Sequence, residues 1–280
     1  MSTIPNPFES AINNLRQQQG DKQQPPQLPV TAKILQLPLW PDAMRCLPNE
    51  IIRSALFNAR NHKQPRAYFE SAEIAVIGGG RVSFTGKELR QNDQTVWLQL
   101  IHLAKSQPLG ELVEFTPYSF CKSVNWTIDG RSYARLRDCL TRMQATALSV
   151  YSDRLKEGIS LSMIPEFKWQ DGKGQALSLY QVRVAPKLVE LFGDVQYTQV
   201  EWNQRLALPT GIATWLHGYY ASHKTPYPIK IDTIKTGAGI TTEKDTKIKQ
   251  LIERALIQLV NVGFLASYEI IDDLVHVKRT

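Results

Sequence analysis

A short helix, a longer helix and a run of alternating residues occur in that order twice along these 280 residues. That succession predicts an α+β chain of two tandem winged-helix domains preceded by a flexible N-terminal arm. Two further observations support it. The first 45 residues are Gln- and Pro-rich, with QQQGDKQQPPQLP at 17–29, a composition that cannot bury a core. The chain carries 33 Lys and Arg against 26 Asp and Glu, for a net charge of +7. Six of those seven charges fall in two windows, 130–158 and 224–254, each ahead of or around a predicted long helix. Two separated basic patches point to a polyanion touched at two places. The expected divisions are 1–45 (arm), 46–185 (first winged helix) and 186–280 (second).

Asn49 to Arg60 carries apolar residues at 51, 52, 55 and 56 and reads as a helix. Arg81 to Thr85 reads as a strand ending at Gly86. Thr95 to Ala104 reads as a second helix, and Thr116 to Val124 as a short one with Pro117 at the favoured first position. Gly130 opens a longer helix to about Thr146. The period then switches to two, in Ala147–Ser152 and, after a turn at Asp171-Gly172-Lys173-Gly174, in Leu177–Val184. This extended region is expected to form the first wing, with Arg154 and Lys156 at a turn. Pro186–Phe192 and Pro209–Ser222 read as a short and a longer helix, and Ile229–Thr236 is ambiguous. Thr242 with Asp245 approximates a capping box for a helix to Val262, stopped by Gly263. Phe264–Ile270 and Leu274–Lys278 form a second hairpin around Asp272-Asp273.

The two long helices carry the candidate chemistry. On the first, Tyr133, Leu136, Leu140, Met143 and Ala147 share one side, and Arg131, Arg135 and Arg142 the other. Guanidinium forks suit phosphates and guanine edges, so this row is read as a DNA contact, against the alternative of a solvated charged face. On the second, Ile248, Leu251, Ile252, Ala255 and Leu259 point inward, while Lys247, Gln250, Arg254 and Gln258 line a flank with a base-reading composition. Two such helices on one chain predict an asymmetric, directly repeated site.

Several functions are excluded from the expectation. Cys46, Cys121 and Cys139 lack metal-ligand spacing and read as buried thiols of a reduced, cytoplasmic protein. The histidines are scattered, so no metal is expected. Gly78-Gly79-Gly80 does not match a dinucleotide fingerprint and there is no P-loop, so no cofactor and no enzymatic activity are expected. No secretory leader and no apolar run of membrane-spanning length is evident.

Long stretches of the chain resemble the TrfA family of plasmid replication initiators. They are LPNEIIRSALFNAR (47–60), YFESAEIAVIGGGRVSF (68–84), VWLQLIHLAK (96–105), PLGELVEFTPYSF (108–120), GRSYARLRDCLTRMQATALSVYS (130–152), LVELFGDVQYTQVEW (188–202) and LALPTGIATWLHGYYASH (206–223). The resemblance implies binding to directly repeated iterons at a plasmid origin, strand opening, and recruitment of the host initiator and replicative helicase. It also implies a dimer that gives way to a DNA-binding monomer; single-stranded origin DNA is an open further ligand. Within the arm, Gln36, Leu37, Leu39 and Trp40 resemble the short peptide with which bacterial replication proteins dock on the sliding clamp, with Pro38 in place of a small polar residue. The alternative for this island is a strap packing Leu39 and Trp40 on its own domain. The competing functions are a winged-helix transcriptional repressor and a plasmid nicking enzyme.

Overall fold

The structure, a computed structural model, describes residues 36–280 except 109, 153–155, 196 and 243. The chain enters through an ordered segment, 36–43, into β1 (Met44–Pro48), which pairs antiparallel with β11 (Tyr197–Glu201). The expected helix at 49–60 stops early. α1 (Asn49–Ile52) ends where Ser54 Oγ donates to Ile51 O and accepts from Leu56 N, and Phe57–Asn58 leave as β2. Ile51, Ile52 and Leu56 are nevertheless buried, so the apolar pattern reported burial and not the element. β3 (Tyr68–Ile74) and β4 (Arg81–Lys87) form a hairpin; β5 (Leu89–Arg90) runs parallel to β2 and leads into α2 (Gln91–Ala104), a helix buried on nearly every side.

β6 (Leu112–Phe115) precedes α3 (Pro117–Ser123), where Thr116 Oγ1 accepts from Ser119 N and Pro117 takes the first turn. α4 (Gly130–Gln144) is capped by Asp129, whose Oδ1 accepts from Ser132 N at 2.7 Å. Leu136, Cys139, Leu140 and Met143 form its buried side, but Ala147 lies beyond the helix and is exposed at the start of β7 (Ala147–Ser152).

The partners of the following strands differ from expectation. β7 and β8 (Glu157–Leu161) join β3 and β4 in a four-stranded sheet, ordered β3-β4-β7-β8. Its inner face carries Val82, Phe84, Leu148 and Val150. β9 (Glu166–Gln170) and β10 (Ala176–Arg183) form a separate hairpin around the predicted Asp171 turn and pair with β6, ordered β6-β10-β9. Alternation marks residues as strand but leaves the neighbour undetermined. The hairpin expected to be the first wing, with Lys156 at its tip, therefore belongs to a different sheet.

A 3-10 segment, Pro186–Val195, follows, then β11 and α5 (Trp202–Ala207). Leu188, Leu191, Phe192, Val200 and Trp202 pack in the same core as Leu37, Val82 and Leu136, so the chain from 186 to 202 belongs with the first half in packing. A second core begins near Leu208 and takes in Trp215, Leu216, Ile234, Ile252, Leu256 and Val275. It is built from α6 (Ile212–Ala221), β12 (Ile229–Lys230), α7 (Ile231–Gly237), α8 (Asp245–Asn261), β13 (Leu265–Ile271) and β14 (Leu274–Arg279).

The Thr242–Asp245 capping box does not form. Asp245 is the first helical residue of α8 instead of the third, so its carboxylate meets the helix end only through the macrodipole. The other end is as expected. Gly263, at φ +72°, donates to Val260 O while Phe264 N donates to Leu259 O, the paired bonds of a Schellman motif. Asp272 and Asp273 both have positive φ, as a two-residue hairpin turn requires. Strand order here is β12-β14-β13: first strand, last strand, middle strand, the same as in β6-β10-β9.

A half-buried histidine, His102, and a buried one, His217, give the fold a pH signature. His102 accepts a hydrogen bond from Trp40 Nε1 at Nδ1, and burial, aided by the charges of Arg45 and Lys105, lowers its pKa to about 4. Burial lowers His217 to about 3. Both are neutral when folded, whereas the unfolded chain takes up their protons as pH falls below about 6.5. Stability from their neutral state is present above 6.5 and lost on acidification. Urea unfolding between pH 6.5 and 5 is expected to show stability falling with a slope approaching about 1.4 kcal/mol per pH unit for each histidine; a flat profile would show that they are protonated in the fold.

Candidate nucleic-acid interface

The expected arginine row on α4 is divided by the fold. Arg131 and Arg135 are exposed, and the Arg135 guanidinium lies 4.0 Å from the centroid of the Trp126 ring. Arg142 is not available to an external ligand. Its Nε and Nη2 donate to Asp93 Oδ1 at 3.1 and 2.7 Å, and its Nη2 lies 3.2 Å from Cys139 Sγ. Asp93 is fully buried on α2, so this guanidinium is committed to neutralising an internal charge. The angular reading put three arginines on one side, but α4 packs on α2 along the edge that carries Arg142. Lys156 is exposed, in the β7–β8 turn. Arg154 lies outside the described residues.

The row on α8 remains available. Lys247, Gln250 and Arg254 are exposed and Gln258 is half-buried. Among the described residues none of these four side chains is held by a hydrogen bond or ion pair. Ile248, Ile252, Ala255 and Leu259 are buried as expected, along with Leu256, while Leu251 is only half-buried.

The clamp-like island is a strap over the first core. Leu37 is buried and Trp40 is 5% exposed, stacked on Phe192 with the centroids 6.0 Å apart. Lys105 Nζ donates to Trp40 O at 2.8 Å, and Gln36 Nε2 donates to Lys105 O at 3.4 Å. Of its three apolar candidates Leu37, Leu39 and Trp40, Leu39 alone, 74% exposed, faces outward. The expectation of a mobile peptide at 36–40 with two free apolar anchors is thus corrected, because Trp40 is already spent on its own core. The rest of the arm, 1–35, lies outside the described residues.

A cleft of about 890 Å³ lies between the two halves. Arg60, Arg66 and Arg90 line it with Arg135 of α4 and Lys247 of α8, and among the described residues no carboxylate does. Beneath them, Glu88 and Asp93 are fully buried. Glu88 Oε1 lies 3.1 Å from Arg60 Nη1, and its Oε2 accepts from Arg90 Nε and Nη2 at 2.9 and 2.5 Å. Asp93 Oδ2 accepts from Arg66 Nη1 and from Arg90 N at 2.8 and 2.9 Å. Sequence reasoning missed Arg60, Arg66 and Arg90, which follow no helical or strand period. The available signal was the run NARNHKQPR (58–66), with Arg60, His62, Lys63 and Arg66 close together. Cys46, Cys121 and Cys139 are buried and free, and no helix among the described residues is long and apolar enough to cross a membrane.

The family model for TrfA protein matches residues 13–279. The chain belongs to the TrfA family. It is 37% identical over 243 residues to the plasmid replication initiator protein TrfA of Escherichia coli, covering 86% of this chain and 63% of that relative, so it spans less than two thirds of the relative's length. A putative replication protein of Wigglesworthia glossinidia brevipalpis is 27% identical over 101 residues, 33% of this chain and 37% of that one. Among solved structures, the fold is similar to domains 2 and 3 of RctB. One such structure aligns with a TM-score of 0.53 at 12% identity, covering 79% of this chain and 94% of that one. A second aligns with a TM-score of 0.50 at 10% identity, covering 83% and 97%. The TrfA-family chain thus has an α/β architecture shared with RctB at very low sequence identity.

Proposed function

We propose that this chain is a plasmid replication initiator that binds directly repeated iterons at its origin through two winged-helix modules. Family membership supports the initiator reading, and the relative from Escherichia coli carries that name. The observation that carries the DNA-binding geometry is the repeated topology. In each half a helix, a strand, a short helix and a long helix precede a hairpin, directly in the second half and after β7 and β8 in the first, with strand order β6-β10-β9 in one and β12-β14-β13 in the other. That succession supports a winged-helix reading in which α4 and α8 are the recognition helices and β9–β10 and β13–β14 the wings. Arg131 and Arg135 on α4, and Lys247, Gln250, Arg254 and Gln258 on α8, are the residues proposed to contact DNA; Lys156 is a backbone contact of secondary rank.

Arg254→Ala is expected to weaken binding to an origin fragment by roughly 1–3 kcal/mol if it reads a base, and by less, with a salt slope shallower by about 1, if it meets a phosphate. Unchanged binding by a folded variant in a gel-shift titration would remove α8 from the interface. A footprint on the origin tests the repeats and their polarity together.

The proposal includes a cytoplasmic protein that needs no cofactor and performs no chemistry of its own, opening the origin and recruiting the host initiator and replicative helicase, with self-association as a dimer. A nicked or covalently linked product from supercoiled origin DNA and a divalent metal would overturn the non-enzymatic part. Sliding-clamp docking through Gln36–Trp40 fits only if the strap is released, since Trp40 is packed on Phe192. Clamp binding by the intact chain that survives joint replacement of Leu39 and Trp40 would place the contact elsewhere.

A further inference from the structure

The charged side chains that face the cleft between the two halves favour a negative charge. Among the described residues, five Lys and Arg side chains and no carboxylate line it. Glu88 and Asp93, buried behind the wall, are shared among Arg60, Arg66, Arg90 and Arg142, so two carboxylates face four guanidiniums. Arg135 and Lys247 make no ion pair among the described residues. Behind Gln91, which also lines the cleft, Arg205 is fully buried, and among the described residues its acceptors are all neutral: Gln91 Oε1, Gln94 Oε1, Thr95 Oγ1 and Thr214 O. The N-terminal ends of α2 and α6 open on the same space, through Gln91 and Asn92 and through Gly211 and Ile212. Helix N-termini add partial positive charge there.

We infer that this cleft is a phosphate-binding site, and that it seats the DNA backbone where it passes from α4 to α8. The inference rests on the proposed DNA-binding role of those helices and adds to it a third contact made by neither recognition helix alone. Arg135 and Lys247 stand on the two walls, so a strand running between the helices meets the cleft. Among the described residues its lining contains no Phe, Tyr or Trp on which a base could stack, which favours a sugar-phosphate chain over a nucleotide. Arg60 already joins the halves, through Glu88 on one side and Gly239 O on the other. A phosphate against it engages both halves at once.

The test leaves the buried ion pairs intact. His62 and Thr241 line the cleft on opposite sides, are exposed, and have no side-chain bond among the described residues. The full chain and its His62→Glu and Thr241→Glu variants are titrated with a mixed-sequence duplex of about thirty base pairs over a range of salt. Each variant is expected to bind roughly tenfold more weakly at low salt, with a slope of log affinity on log salt shallower by about 1. Arg254→Ala, outside the cleft, serves as the control. If it weakens binding and the cleft variants do not, the cleft inference is overturned and the DNA-binding reading stands; if none of the three changes, both fall. Inorganic tripolyphosphate is expected to raise the melting temperature of the parent chain and not of the double cleft variant. No stabilisation of the parent would overturn the phosphate chemistry, and stabilisation alongside unchanged DNA affinity would assign the site to a free anion and overturn the backbone.

Discussion

Asp93→Ala is expected to lower the unfolding free energy by about 3–5 kcal/mol, the cost of removing one partner of a buried ionic network. The carboxylate holds Arg142 through Oδ1 and Arg66 and the backbone N–H of Arg90 through Oδ2. Alanine would leave two guanidiniums without their counter-charge and the first turn of α2 without its cap. Because α2 is the buried axis of the first half, the loss reaches β6, α4 and the cleft. Arg142→Ala should cost less, about 1–3 kcal/mol, since Arg66 still answers Asp93. Urea unfolding measures both. A change below about 1 kcal/mol for Asp93→Ala would mean that the network is solvated in solution and that Arg142 is free after all.

Trp40→Ala is expected to cost about 3–5 kcal/mol, while its neighbour Leu39→Ala should stay within about 0.5 kcal/mol. The indole fills a space against Phe192 and Tyr197, donates to His102 Nδ1, and has its carbonyl held by Lys105. Leu39 touches little and is three-quarters exposed. The contrast bears on function as well as stability. A clamp that captured both residues would have to extract Trp40 and would give up most of that stabilisation. Equal, small effects at the two positions would show the strap already detached, and would restore the free peptide.

The patterns that were legible in the sequence are those with a local cause. Thr116 and Pro117 start α3, Gly263 ends α8, and Asp272-Asp273 turns the last hairpin, each through bonds within a few residues of itself. The alternation at 147–152 and 177–184 was strand in both cases. What alternation does not supply is the partner: β7 and β8 pair with β3 and β4, whereas β9 and β10 pair with β6. The helix expected at 49–60 failed for a related reason. Ile51, Ile52 and Leu56 are buried, but Ala55 N is taken by Ala75 O and Arg53 O by Ile77 N, bonds to the loop that follows β3 some twenty residues on.

For the candidate site, the flank of α8 was readable because one helical period generates both its buried face and its polar one. The arginines of α4 were readable as a row, yet their roles were not. Whether a guanidinium faces a ligand or a buried carboxylate depends on what packs beside it, and Asp93 lies 49 residues from Arg142 in the chain.

The sequence alone thus determined the kind of the longer helices and the alternating strands, the ends set by local bonds, the basic character of two helices and the family resemblance, because each is carried by residues near one another along the chain. Only the tertiary structure decided which strands pair, that Trp40 is an internal anchor, that Arg142 is an internal counter-ion, and that Arg60, Arg66, Arg90, Arg135 and Lys247 surround one cleft. Those outcomes depend on burial and on charges brought together from distant segments, where desolvation makes each partner matter and no local pattern records it.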